Sequence, residues 1–265
     1  MSRSSRARQR MLRRRRRSVL LAVLLLAATA ALSIVIVNND PDTAPTSGDV
    51  AAAAPESSPS APPTSASPSP SPTPGPEDVV YEGDGEWTYA KVESDEPIGD
   101  DGQLMRFNIA VEGGLGADRD EFTDVILDTF GDERGWTAAQ EWRFEMVGKG
   151  QSDFTLYLAS PATRQSLCGD GDDYTSCRNG NSVVINYERW VLGVPHWDES
   201  IEDYRHYVIN HEVGHRLGEG HVVCPKKGDP SPVMAQQTLQ LGGCEPNAWP
   251  YVDGEYITGP MGEYG

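Results

Sequence analysis

Residues 211–221 read HEVGHRLGEGH and hold three of the five histidines of a 265-residue chain. Apolar residues before this stretch and a capping signal at Ser200 predict a helix over residues 200–217. In such a helix His211 and His215 lie one turn apart on the same face, about 40° around the axis. Two imidazoles at this spacing hold one metal ion from successive turns, and zinc is the metal that this arrangement favours.

A catalytic zinc ion needs a third protein ligand and an open fourth position. A helix that continued straight would carry His221 away from the metal. Gly218 can adopt a positive φ, so we expect it to end the helix and turn the chain back, which makes His221 the third ligand. Glu212 follows the first ligand and is placed to act as the general base beside the metal.

The five fixed positions match the pattern H-E-x-x-H-x-x-G-x-x-H, and Met234 follows His221 by 13 residues. In both features the chain resembles the metzincins, a clan of zinc endopeptidases. The resemblance implies that Met234 forms an apolar floor below the three imidazoles without binding zinc. Two positions depart from characterised metzincins, because Val222 and Gln236 stand where several families have other conserved residue types.

The resemblance also implies the fold, an α+β domain with a mixed twisted sheet, two main helices and a small irregular C-terminal lobe. The sequence pattern is compatible with it: apolar periodicity predicts helices at 118–130, 161–168 and 200–217 and strands at 85–93, 104–114, 141–148, 153–160 and 181–191. We expect the last of these strands, at 181–191, to line the cleft and pair with an extended substrate.

All four cysteines lie in the C-terminal part of the chain, and an even count outside a membrane predicts two disulfides. Three pairings are possible. We favour Cys168–Cys177 and Cys224–Cys244, because each closes a short loop of turn-forming residues. The first loop, CGDGDDYTSC, is rich in aspartate but does not have the spacing of an EF-hand. A solvated disulfide loop is therefore favoured over a calcium site.

The N-terminal part of the chain has three compositional segments. Residues 1–17 form a basic arm with nine arginines, and residues 18–37 are uncharged and long enough for a transmembrane helix. The arginines predict a cytoplasmic N-terminus and an outward-facing C-terminal domain at 77–265. Residues 38–76, rich in Pro, Ser and Ala, predict a disordered linker. An uncleaved anchor is favoured over a signal cleaved near Ala30, which would release the protein.

Charge narrows the choice of partners. Of the 40 acidic and 22 basic residues, four acidic and nine basic ones precede residue 77, which leaves the domain with a net charge of about −23. Such a domain repels nucleic acid and anionic lipid, so nucleic acid is excluded as a partner. A peptide or protein substrate and, through residues 18–37, a membrane remain.

Together these features predict a membrane-tethered, zinc-dependent endopeptidase that uses zinc-activated water with Glu212 as general base. Two alternatives stay open: a zinc-stabilised binding module of the cell envelope that cleaves nothing, and a peptidase that acts on cell-wall peptides. The layout of basic arm, anchor, linker and acidic domain resembles that of an uncharacterised group of actinobacterial envelope proteins.

Overall fold

The computed structural model describes residue 75 and residues 79–264. The basic arm, the predicted anchor at 18–37 and, apart from residue 75, the predicted linker lie outside the described residues. Within the described part, no helix combines the length and the hydropathy that a membrane crossing requires.

A mixed sheet forms the centre of the domain, as expected for an α+β fold. Its six strands are β1 (Trp87–Tyr89), β2 (Gln103–Glu112), β3 (Trp142–Met146), β4 (Phe154–Ala159), β5 (Cys177–Asn179) and β6 (Ser182–Asn186). Three parallel strands lie side by side in the order β2, β4, β6, while β1 and β5 flank them in antiparallel pairing and β3 pairs parallel with β2.

Four helices accompany the sheet in the described residues: α1 (Arg119–Gly131), α2 (Pro161–Cys168), α3 (Tyr187–Leu192) and α4 (Ile201–Leu217). The two longest, α1 and α4, contact each other, and each contacts the sheet. A group of phenylalanines fills the space between α1 and the strands; Phe130 of α1 stacks on Phe144 with ring centroids 4.1 Å apart. Burial of each such side chain stabilises the fold by about 1.5–3 kcal/mol.

The prediction of one strand over 181–191 is wrong. The strand β6 ends at Asn186, whose side chain accepts a hydrogen bond from the backbone N–H of Glu188 and thereby caps α3. In addition, β6 lies between β4 and β5, so it has no free edge with which to pair a substrate. The free edge belongs to β5, a strand that the sequence analysis did not identify.

The two disulfides join Cys168 with Cys177 and Cys224 with Cys244, the pairing that the short loops favour. Disulfides are typical of proteins in oxidising, extracytoplasmic compartments. The first one closes the aspartate-rich loop that precedes β5. A guanidinium organises this loop: Arg164 of α2 is 1% exposed and forms ion pairs with Asp170 and Asp172.

The chain after α4 forms turns and one short hairpin, β7 (Tyr251–Val252) with β8 (Glu255–Tyr256). This agrees with the irregular C-terminal region expected from the sequence. Residues 257–264, here called the C-terminal segment, return to the end of α4. The backbone N–H of Val223 donates to the carbonyl of Pro260 at 2.9 Å, and that of Gly262 donates to the carbonyl of His221 at 3.3 Å.

Candidate metal centre

The helix α4 begins and ends where the sequence indicates. The Ser200 side chain caps its first turn by accepting from the N–H of Asp203 at 3.1 Å. Gly218 terminates it with φ of +101°, and the N–H of Glu219 donates back to the carbonyl of Gly214 at 2.9 Å. No atom lies within 4 Å of a side chain at Gly218, so the backbone conformation alone explains the glycine.

The turn at Gly218 brings His221 to the two histidines of the helix. The Nε2 atom of His215 lies 3.2 Å from that of His211 and 3.0 Å from that of His221. Tetrahedral zinc ligands at about 2.0–2.1 Å from the metal stand roughly 3.3 Å apart, close to this spacing. Among the described residues these three histidines form the one group with metal-ligand geometry, and no free cysteine accompanies them.

The partner of Nδ1 determines which ring nitrogen carries the proton in His211 and in His215. Nδ1 of His211 lies 2.8 Å from the carbonyl of Val233, and Nδ1 of His215 lies 3.0 Å from the carbonyl of Glu219. A carbonyl only accepts, so we assign the proton to Nδ1 in both rings, which leaves Nε2 with its lone pair. The Nε2 lone pairs of His211 and His215 then face each other, and Nε2 of His221 lies beside them. Two such nitrogens have no proton to share in a hydrogen bond, so the arrangement suits a cation that both can bind.

Burial favours the neutral form of the two helical rings, His211 and His215. It lowers the pKa of His211 well below the usual value for histidine, and the neighbouring His215 and His221 act in the same direction. Burial also lowers the pKa of His215, with His221 and Arg178 adding to the effect. A neutral imidazole is the form that binds a metal ion, so burial favours the metal-binding form of His211 and His215.

Glu212 lies beside the cluster with a carboxylate that has no partner. Its side chain is buried, with 5% exposed, and it lines the same cleft as the three histidines. Within the described residues this carboxylate accepts no hydrogen bond. Burial raises the pKa of Glu212 to about 8, although the guanidinium of Arg164 opposes that rise. A carboxyl group with a raised pKa and a free oxygen is suited to exchange protons with a substrate or water.

A second buried glutamate shows the difference between a structural and a reactive carboxylate. Glu112 is 2% exposed, yet it accepts hydrogen bonds from Ser160 N at 2.7 Å, Thr163 Oγ1 at 2.6 Å and Gly85 N at 3.3 Å. Both oxygens of Glu112 therefore accept hydrogen bonds from neighbouring parts of the fold. The free carboxylate of Glu212 has no such structural role.

Met234 lies under the end of α4 that carries His211 and His215. It is 2% exposed, its sulfur lies against Gly214 of α4, and its carbonyl accepts from the N–H of Val222 at 3.2 Å. The preceding carbonyl, of Val233, accepts from His211. Met234 therefore belongs to the segment that supports both His211 of the helix and the turn to His221.

Gly214 is required by this packing. A Cβ there would approach Trp136 Cζ2 to 2.8 Å and the sulfur of Met234 still more closely, and the Trp136 indole is fixed by a 2.9 Å hydrogen bond to the carbonyl of Asn210. Overpacking costs about 1–3 kcal/mol, and the roughly 1 kcal/mol that alanine gains over glycine in a helix offsets part of this cost. We expect Gly214→Ala to lower the free energy of unfolding by up to about 2 kcal/mol in urea titrations of metal-free protein.

The matched control is Gly131→Ala at the end of α1, where no atom lies within 4 Å of the added carbon. This variant should be as stable as the wild type or slightly more stable. A Gly214→Ala protein that unfolded at or above the wild-type urea midpoint would contradict the packing argument.

The C-terminal segment supplies a polar partner for the third histidine. Nδ1 of His221 lies 3.3 Å from Oε1 of Glu263, an exposed carboxylate that the sequence analysis missed. Two hydrogen bonds of Tyr264 hold the segment in place. Its backbone N–H donates to the side-chain oxygen of Gln236 at 2.7 Å, and its hydroxyl oxygen accepts from the backbone N–H of Cys224, also at 2.7 Å. A carboxylate on the distal nitrogen of a ligand orients the ring and raises its basicity.

We therefore expect Glu263→Gln to weaken zinc binding about tenfold, at the lower end of the 10–100-fold effect of such partners, because Glu263 is exposed. Competition with a chromophoric chelator measures this directly. Glu255→Gln removes an exposed glutamate of β8 that does not contact a ligand, and it should leave the zinc affinity unchanged. Equal zinc affinities of the Glu263→Gln and Glu255→Gln proteins would show that Glu263 does not orient His221.

The cluster lies in an open cleft of about 550 Å³. One wall comes from the disulfide loop and β5, with Ser176, Cys177 and Arg178, and Thr238 and Leu239 also line the cleft. Since β5 is the edge of the sheet, its outer backbone groups have no strand partner and can pair with an extended chain. The cleft thus combines a metal-ligand cluster, an unpartnered carboxylate and a strand edge.

The remaining two histidines do not join the cluster. His206 lies on the other side of α4, where Nδ1 is 2.7 Å from the hydroxyl of Thr129. His196 contacts the carbonyl of Gln237 at 2.8 Å through Nε2. Both have structural environments.

Fold and site together define a disulfide-bonded α+β domain with a three-histidine cluster in a cleft, and its two disulfides are typical of extracytoplasmic proteins. The chain belongs to the family described as "Protein of unknown function (DUF3152)", whose model matches residues 73–249. No curated protein and no solved structure matches the chain. Glu263 and the rest of the C-terminal segment lie outside the matched range.

Proposed function

We propose that this protein is a zinc-dependent endopeptidase with a metzincin-like fold. The observation that carries the proposal is the free, buried carboxylate of Glu212 beside three converging imidazole nitrogens. A purely structural zinc site is closed by a fourth protein ligand, and none is present among the described residues. A structural zinc site also does not require an unpartnered carboxylate next to the metal.

His211, His215 and His221 would hold the ion. When bound, zinc supplies Lewis acidity, which polarises a peptide carbonyl and makes water acidic enough to act near neutral pH. Glu212 would take the proton from the attacking water and deliver it to the leaving amine. The edge of β5 would hold the substrate in an extended conformation along the cleft. We further propose that residues 18–37 anchor the protein in the membrane with this domain outside.

The test is hydrolysis of a random peptide library by the full-length protein, purified in detergent, with zinc bound and after removal of zinc by a chelator. We expect cleavage only with zinc. Absence of cleavage by a protein that holds one zinc ion per chain would favour the envelope binding module. A parallel assay with crosslinked cell-wall peptides distinguishes a protein substrate from a wall substrate.

A further inference from the structure

One arginine in the cleft has a guanidinium without an acceptor. The structure describes nine arginines, and eight of them donate a side-chain hydrogen bond to a protein oxygen: Arg106, Arg119, Arg134, Arg143, Arg164, Arg189, Arg205 and Arg216. Arg178 is the exception within that range. Its guanidinium is without a hydrogen bond or ion pair, although the domain that carries it has an excess of acidic residues.

The strand register places this side chain on the side of the metal cluster. Arg178 of β5 pairs with Val183 of β6 in antiparallel register, and directly opposed residues project from the same face of a sheet. Val183 is fully buried in the core that includes α4. Arg178 therefore points to the face on which α4 packs, and it lines the cleft together with His215.

The other charged groups of this wall are already neutralised. Arg164 also lines the cleft, but its guanidinium is occupied by Asp170, by Thr175 Oγ1 at 3.2 Å and by the carbonyl of Ser176 at 3.3 Å. Asp170 is in turn occupied by Arg164. On this wall Arg178 is thus the cation that is available to a bound molecule.

We propose that Arg178 selects peptides with a carboxylate next to the bond at the metal cluster. This inference deepens the proposed function and rests on it. A chain that pairs with the edge of β5 directs alternate side chains towards the face of α4. A carboxylate there meets the Arg178 guanidinium, whose fork geometry matches a carboxylate with two parallel hydrogen bonds. An acidic side chain and a C-terminal carboxylate both have this chemistry.

Binding is measured with the full-length, zinc-loaded Glu212→Ala protein, so that no hydrolysis is needed. The probes are fluorescent decapeptide amides in which one Glu is moved through an Ala/Ser sequence, their Gln counterparts, and a Gln peptide with a free C-terminal carboxylate. We expect one Glu position to bind about five- to tenfold more tightly than Gln, the effect of an exposed charge-assisted contact. Tighter binding of the free-acid peptide instead would identify the C-terminal carboxylate as the ligand.

The preference should disappear in Arg178→Ala, persist in weakened form in Arg178→Lys, and stay intact in Arg106→Ala, which removes an exposed arginine outside the cleft. A carboxylate preference that survives Arg178→Ala, or equal binding of all peptides to the Arg178 protein, overturns the inference. If the protein with an intact Glu212 cleaves peptides but Arg178→Ala changes no carboxylate preference, the Arg178 inference is rejected and the peptidase proposal is retained. An Arg178-dependent preference in a protein that cleaves nothing would support the carboxylate site and reject the peptidase.

Discussion

Glu212→Ala is expected to keep one zinc ion per chain and to lose hydrolysis by about 10²–10⁴-fold, the usual contribution of a general base. Zinc stays because the three imidazoles are untouched and because Glu212 donates no atom to their cluster. The fold should also be retained, since the carboxylate has no hydrogen-bond partner that would be left unsatisfied. Zinc content by elemental analysis and turnover of a library-derived peptide are the two measurements.

The second buried glutamate offers a control with the opposite profile. Glu112→Gln disturbs an oxygen that accepts from Ser160 N at 2.7 Å, so it should lower the free energy of unfolding. Per folded molecule, however, it should hydrolyse peptides at the wild-type rate. Wild-type turnover by Glu212→Ala would refute the assignment of the base, and loss of zinc from that variant would refute the separation of base and ligands.

The sequence predicted that His211, His215 and His221 converge, because the three residues are local in the chain. Eleven residues contain all three histidines, and helix geometry plus one glycine determines how they converge. Glu263 was out of reach, because it lies 42 residues beyond His221 and depends on the path of an irregular segment. No periodicity describes such a segment, and an exposed glutamate near the end of a chain has no distinctive pattern.

The fold shows the same division between local and non-local information. The helices at 118–130 and 200–217 were predicted within a residue or two at each end, because each has a side-chain cap and sustained apolar spacing. The three residues of β5 are too short for any alternation to show. The error at 181–191 arose because Tyr187 and Trp190 favour strands by propensity, while the side chain of Asn186 favours a helix start.

The role of Arg164 could not be inferred from spacing either. The loop is rich in aspartate, and two of its aspartates, Asp170 and Asp172, pair with a guanidinium from the preceding helix. A buried arginine in the pattern PATRQSLC is indistinguishable from an exposed one until the loop folds over it. This explains why the acidic loop was interpreted correctly as a disulfide loop without its central partner being identified.

His215→Ala is expected to abolish both zinc binding and hydrolysis. Even the outer partners of metal ligands contribute 10–100-fold to affinity, so loss of a direct ligand should cost more, on the order of 10³-fold. His215 is also the ring whose Nε2 lies within 3.2 Å of both other ligands, which makes it the centre of the cluster. Chelator competition should show the lost affinity. Added zinc should raise the melting temperature of the wild type but not of this variant.

His206→Ala is the matched control, because it removes the same residue type from the same helix on the side facing α1. That variant loses the contact with Thr129 and should be less stable, yet it should bind zinc as tightly as the wild type. A His215→Ala protein that retained wild-type zinc affinity would refute the ligand assignment. Equal zinc loss in both variants would mean that helix α4 had unfolded, a result that circular dichroism of the two metal-free proteins separates from loss of a ligand.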